Sequence, residues 1–121
     1  EKRIQIISCL EEDWILPGDR RLLEEAFYNL LSNAAAYNRE EGRIRVILTE
    51  GSCVVENTGK NIPPEHLPHL CEMFYTVQAG VGGREKHLGM GLYLSRQIFL
   101  RHGLQLKIEN TEEGVRVTVE K

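Results

Sequence analysis

From Leu22 to Ala34, apolar residues recur every three to four positions. Leu22, Leu23, Ala26, Phe27, Leu30, Leu31 and Ala34 form one continuous stripe at 3.6 residues per turn. This pattern requires a helix with one buried face. Asn29 and Asn33 lie a turn apart along the edge of that stripe. Asparagine is a poor helix former because its short amide competes with the backbone for hydrogen bonds. Two on one edge therefore ask for a reason, since the edge is where a core meets a cleft. The plain alternative is two solvated or locally bonded amides.

At 121 residues and 41% hydrophobic, the chain has the apolar content for one core and too little length for two. The formal net charge is -3 and the pI is near 5.8. There is thus no broad basic footprint for nucleic acid or an anionic membrane, and neither a nucleic-acid partner nor direct membrane contact is expected. Any phosphate site must be local. No apolar run approaches the roughly 20 residues that span a bilayer. Cys9, Cys53 and Cys71 have no metal-ligand spacing, and each sits in an apolar neighbourhood expected to bury a thiol in a reducing, cytosolic compartment. His66, His69, His87 and His102 show no spacing that makes them metal ligands either.

Weak alternation around Ile4 and Ile6 suggests a first strand over residues 3 to 8. Pro17 and Gly18 break the chain and Asp19 is placed to cap a helix running from about 20 to 37. Ile44, Val46 and Leu48 then alternate with polar residues, Glu50-Gly51-Ser52 turns, and Cys53 to Glu56 returns as an adjacent strand. Residues 57 to 61 read as a loop. Pro63-Pro64 opens a short helix carrying Leu67, Leu70 and Phe74. Residues 76 to 88 have no periodicity and read as a mobile loop feeding a helix that starts at Gly89-Met90-Gly91 and ends near Arg101. His102-Gly103 stops it, and two strands around Leu106 and Val117 close the chain. This order predicts an α+β fold: a two-layer sandwich whose mixed, mostly antiparallel sheet of about five strands is covered on one face by three helices.

Three features far apart in sequence have compatible chemistry. Asparagine oxygens are hard neutral ligands suited to Mg²⁺ shared with substrate phosphates. Asn57 has an oxygen that can accept from an exocyclic amine. Glycines at a helix start let backbone N–H groups approach phosphate. Their order along the chain gives the specific signal. Phe27 to Ala34 resembles the N box, Val55 to Pro63 the G1 box, Leu70 to Tyr75 the F box and His87 to Tyr93 the G2 box of bacterial sensor histidine kinases. Residues from about 18 to 119 resemble the catalytic, ATP-binding domain of that family, which also includes gyrase-type, chaperone and mismatch-repair ATPases.

The resemblance implies the Bergerat-type ATP-binding sandwich, with ATP and Mg²⁺ under a lid spanning roughly Thr76 to Leu88. It implies Asn33 as the Mg²⁺ ligand and Asn29 as support for the phosphates or metal waters, these two being the catalytic pair. Asn57 stands where an aspartate usually reads adenine, and Gly59 lets the loop approach the base. Gly89 and Gly91 would wrap the phosphates, and Phe74 and Tyr75 would anchor the lid. Arg84 and Lys86 are candidates to meet the γ-phosphate, with ordinary solvated lid charges as the alternative. Tyr37, Ile62, Leu88, Met90 and Leu92 complete the implied nucleotide-binding set.

Several positions depart from the family pattern. Asn57 accepts without charge, and a neutral hydrogen bond is worth about 0.5 to 1.5 kcal/mol net against about 1.5 to 3 for a charged one. Asn61 and His87 stand where glycines are usual, Ala36 where a Lys or Arg is common, and Cys71 where a Phe is common. Weaker ATP binding is expected, with one phosphate-neutralising charge missing and looser packing at Cys71.

The gyrase-type ATPases activate water with a glutamate at the position of Asn29, and Glu25, one turn earlier, reads as an exposed helix carboxylate. A phosphotransfer domain needs no such base, because its nucleophile arrives on another domain. The leading expectation is a protein-histidine kinase catalytic domain. It would bind Mg-ATP and hand the γ-phosphate to a histidine on an adjacent dimerisation domain, with a cognate response regulator downstream. The 121 residues read as one such domain cut from a longer membrane sensor and lying on the cytoplasmic side of the membrane. No histidine here has the sequence context of a phosphoacceptor. Two alternatives stay open: a degenerate module working through protein contacts, and an anti-sigma-type serine kinase.

Overall fold

The stripe becomes helix α1 (Arg20–Ala36) in the computed structural model, which describes residues 3–10, 17–72, 75–76, 80–81 and 88–121 and, for 75–76, 80–81 and 88–91, the backbone alone. Asp19 starts the helix as its cap, its Oδ1 accepting the Leu22 N–H at 3.1 Å. This satisfies one of the first-turn donors that have no partner inside the helix. Ala26, Leu30 and Ala34 are the buried face.

Strands β1 (Gln5–Leu10), β2 (Arg43–Leu48), β3 (Ser52–Thr58), β6 (Gln105–Asn110) and β7 (Gly114–Glu120) form one sheet in the order β1-β2-β3-β7-β6. Strands β4 (Tyr75–Thr76) and β5 (Gly80–Val81) form a separate two-stranded ribbon, and helix α2 spans Leu88–Arg101. Only β1 and β2 pair in parallel among the described strands, the chain crossing between them through α1. The other neighbours in the large sheet are antiparallel, as expected of the α+β sandwich.

Register explains the two faces. Ile44, Val46 and Leu48 face the helices with Val55 and Cys53 of β3 and Val117 and Val119 of β7. Leu30, Phe99, Leu104 and Val119 are almost fully buried, and Phe27 meets Phe99 edge-on with ring centroids 5.0 Å apart. Burying each such side chain contributes about 1.5 to 3 kcal/mol, so Leu30→Ala should cost about 2 to 5 kcal/mol. On the opposite face Arg45, Glu56, Arg116 and Glu109 lie in one row across four strands. Glu56 accepts from Arg45 at 3.4 Å and Arg116 at 2.8 Å, and Arg116 reaches Glu109 at 3.4 Å. An ion-pair row of this kind keeps that face in water.

Four expectations need correction. The short helix after Pro63 is a 3₁₀ helix that ends at His69, before Leu70, so among the described residues the three expected helices are two α-helices and this 3₁₀ helix. Its interior Pro68 lacks the N–H that an α-helical turn needs. The segment expected to be wholly loop contains the β4–β5 ribbon. Asn57 and Thr58 belong to β3 and not to the following loop, because they continue its ladder to Val115 and Gly114. Cys9 is exposed on the edge strand β1, whereas Cys53 is buried and Cys71 half-buried; local apolar sequence cannot tell an edge strand from a central one.

Candidate functional site

A cavity of about 580 Å³ opens between the C-terminal half of α1, the end of β3 with the loop that follows it, and Leu92 near the start of α2. Asn33, Tyr37, Asn57, Gly59, Ile62 and Leu92, all expected at the site, line it together. Its floor is the apolar face of the sheet, with Val55, Val115 and Val117, and Leu30 and Ala34 of α1 close one side.

Asn33 is half-buried, and its side chain takes no hydrogen-bond partner among the described residues, so its amide is open to a ligand. Asn57 is 9% exposed and points to the core face of β3, in line with Val55. Its Nδ2 donates to the Thr58 carbonyl at 2.9 Å. The Oδ1 takes no donor among the described residues and is not sealed from solvent, so it opens on the cavity. A neutral acceptor thus sits at one end of the cavity and an uncommitted amide on its α1 wall.

Backbone fit at Gly59 depends on the missing side chain. Its φ is +140°, and a Cβ there would lie 2.5 Å from the Tyr37 carbonyl oxygen. The loop is therefore pressed against the end of α1.

Buried polar groups unforeseen in the sequence hold these parts in register. The Thr58 hydroxyl donates to Asn38 Oδ1 and accepts the Arg43 N–H at 2.9 Å. Asn38 also accepts the Arg39 N–H at 2.9 Å and donates to the Arg43 carbonyl at 3.0 Å. Gly42 leaves room for this knot, since a Cβ there would fall 2.0 Å from Asn38 Oδ1 and 2.2 Å from Thr58 Oγ1. On the far side, Asn110 clamps Ile62 in both directions, accepting its N–H and donating to its carbonyl, each at 2.8 Å. Asn61 donates to the Thr111 and Gly114 carbonyls at 2.9 and 2.8 Å. Asn61, a departure from the family glycine, therefore fastens the loop to the β6–β7 turn. The sequence offered only an asparagine at a helix end and another at a turn as signals.

Other expected residues fall differently. Asn29 is half-buried a turn before Asn33 and is not among the cavity-lining residues. Leu88, Gly89, Met90 and Gly91 form the first turn of α2, and Tyr75 begins β4. Phe74, Arg84, Lys86 and His87 lie outside the described residues. Ala36 lines the cavity as expected of its edge, and the exposed Arg39 and Lys60 are lining residues too, so cationic residues stand at the wall at positions other than 36. Burial pushes the Cys71 thiol above its ordinary pKa, opposed by the nearby Arg96 charge.

Comparison with known proteins matches this architecture. A family profile described as "Histidine kinase-, DNA gyrase B-, and HSP90-like ATPase" covers residues 18–121. The phosphate regulon sensor protein PhoR of Pseudomonas aeruginosa is 34% identical over 99 residues, covering 78% of this chain and 22% of that protein. The sensor protein VanS of Enterococcus faecium is 31% identical over 120 residues, covering 96% of this chain and 31% of that protein. The chain thus spans between a fifth and a third of the length of these relatives. Among solved structures, the mycobacterial sensor histidine kinase MprB superposes with a TM-score of 0.82 at 25% identity, covering 96% of this chain and 81% of that one. The catalytic domain of histidine kinase ThkA, in a nucleotide-free form, gives 0.78 at 27% identity, covering 97% and 78%. With that profile matched over residues 18–121, the chain belongs to the family of histidine kinase-, DNA gyrase B- and HSP90-like ATPases.

Proposed function

We propose that this chain binds Mg-ATP in the α1–β3–α2 cavity and, within a longer sensor protein, presents the γ-phosphate to a histidine on an adjacent dimerisation domain. The observation that carries this reading is the pair of open amides: Asn33 without a side-chain partner among the described residues and Asn57 Oδ1 facing the same 580 Å³ space. Neither amide is spent on the fold at its ligand-facing atom, and both are the hydrogen-bonding types that a nucleotide and its metal use.

The donor set fits magnesium held jointly with the substrate. Among the described residues no group of three or more His, Cys, Asp or Glu could hold a metal by itself. An ion here would be held by the Asn33 amide oxygen together with phosphate oxygens and waters, an arrangement magnesium favours. Such an ion would supply charge neutralisation to the phosphates. Asn57 and Gly59 receive the base, Tyr37 and Ile62 pack beside it, and Asn29 supports the phosphate end. The N–H groups of Gly89 and Gly91, at the positive end of α2, approach the phosphates, flanked by Leu88, Met90 and Leu92. The family resemblance gives Phe74 and Tyr75 as the lid anchors and Arg84 and Lys86 as candidates to meet the γ-phosphate; Phe74, Arg84 and Lys86 lie outside the described residues. Asn29 offers no base for water, and Glu25 is exposed, so phosphate leaves to a protein acceptor and not to solvent. A response regulator would then take the phosphate from that histidine.

The test is titration with a fluorescent ATP analogue, with and without Mg²⁺, on the wild type and Asn33→Ala. Wild-type affinity should depend on Mg²⁺ and that of the variant should not. Equal affinity in all four cases overturns the metal role. No thermal shift at millimolar ATP would favour a module that has lost nucleotide binding.

A further inference from the structure

The Asn57 amide can turn over about its last torsion, and its two orientations offer a ligand opposite chemistry. As it stands, Nδ2 donates to the Thr58 carbonyl at 2.9 Å and Oδ1 faces the cavity. Turned over, Nδ2 would face the cavity and Oδ1 would face the Thr58 carbonyl, with two acceptors in contact and one buried hydrogen bond lost. The Thr58 peptide cannot easily move away. Its side chain is tied to Asn38 and to the Arg43 N–H, and its ladder partner is Gly114.

We propose that this pinned amide makes the cavity a graded purine site, taking a 6-amino purine with the amide as it stands and a 6-oxo purine only with the amide turned over. The inference rests on the nucleotide reading above and adds which bases the site accepts. A 6-amino group donates to the waiting Oδ1. A 6-oxo group meets oxygen against oxygen until the amide rotates, and rotation forfeits the Thr58 bond. Discrimination is therefore finite, set by one hydrogen bond, about tenfold in affinity. A carboxylate at this position accepts in every rotamer and carries charge, so it would exclude the 6-oxo base far more strongly.

The experiment is calorimetric titration with ATP, inosine triphosphate and purine riboside triphosphate, which lacks a 6-substituent, all with Mg²⁺. For the wild type the expected order is ATP, then purine riboside triphosphate, then inosine triphosphate about tenfold weaker than ATP. Asn57→Asp should widen the ATP-to-inosine ratio, and Asn57→Ala should collapse it towards unity. The wild-type series stands alone if either variant fails to fold. Equal wild-type affinity for all three, or a ratio unmoved by both variants, overturns the proposal while leaving a nucleotide site in place. Failure of all three nucleotides to bind overturns the nucleotide reading and the proposal with it.

Discussion

The hydroxyl of Thr58, at the end of β3, donates to the side-chain oxygen of Asn38, just beyond the end of α1, and both residues are buried. This bond joins the strand carrying the base-end acceptor to the helix carrying Asn33. Thr58→Val keeps the shape and removes the hydroxyl, leaving the Arg43 N–H without its acceptor. The expected loss is about 1 to 3 kcal/mol in urea denaturation, with weaker ATP binding, and Thr58→Ser should restore most of both. An unchanged stability would show that the knot contributes nothing net.

Gly59→Ala should damage the site more than its size suggests. The new methyl meets the Tyr37 carbonyl, and the backbone is held at φ +140°. A cost of about 1 to 3 kcal/mol is expected, together with a raised Kd for ATP, because the loop must lift off α1. Thermal melts and nucleotide titration on the same sample check it.

Asn110→Ala removes two hydrogen bonds to the Ile62 backbone and leaves only the Asn61 bonds to hold the loop on the β6–β7 turn. We expect a loss of about 1 to 3 kcal/mol. Amide hydrogen exchange should rise at residues 59–63 and stay unchanged in α1. Equal protection in variant and wild type would remove the clamp from the account.

The three thiols should separate by accessibility. A thiol reagent should label the exposed Cys9 first, Cys71 more slowly and Cys53 only on unfolding. Burial pushes the Cys53 thiol from about 9 up to about 11, so in that window the folded chain keeps a proton that the unfolded chain has lost. Stability contributed by the protonated thiol is present below the lower value and falls as pH rises, by about 1.4 kcal/mol per pH unit. Urea denaturation across the window should show a steeper fall in the wild type than in Cys53→Ala, where the half-buried Cys71 thiol still contributes in the same direction.

His102 joins the ends of the two helices: Nε2 accepts the Asp19 N–H at 3.1 Å and Nδ1 donates to the Ile98 carbonyl at 2.7 Å. His102→Phe fills the same space without either bond. It should lower stability by about 1 to 2 kcal/mol and leave ATP affinity near the wild-type value, since the ring does not line the cavity.

The stripe of α1, its Asp19 cap, the β2–β3 hairpin and the closing strands were legible because each is encoded by a local period and a local breaker. The four boxes were legible because residue type and order carry them. Asn38, Thr58 and Asn110 were not legible as members of the site. The bonds that join separate elements, Thr58 to Asn38 and Asn110 to Ile62, span 20 and 48 positions, and no local pattern distinguishes a pinned amide from a solvated one. Asn61 read as a loss against the family pattern, and only its bonds to Thr111 and Gly114 revealed its use.

By itself, then, the sequence determined the elements, the core face and the chemistry available at Asn33, Asn57 and Gly59. Tertiary structure alone decided which way the Asn57 amide points, which cationic residues stand at the cavity wall in place of Ala36, and that Cys9 stands in water. The reason is physical: periodicity and propensity act within a few residues, whereas amide orientation and burial depend on strand register and on which strand forms the sheet edge.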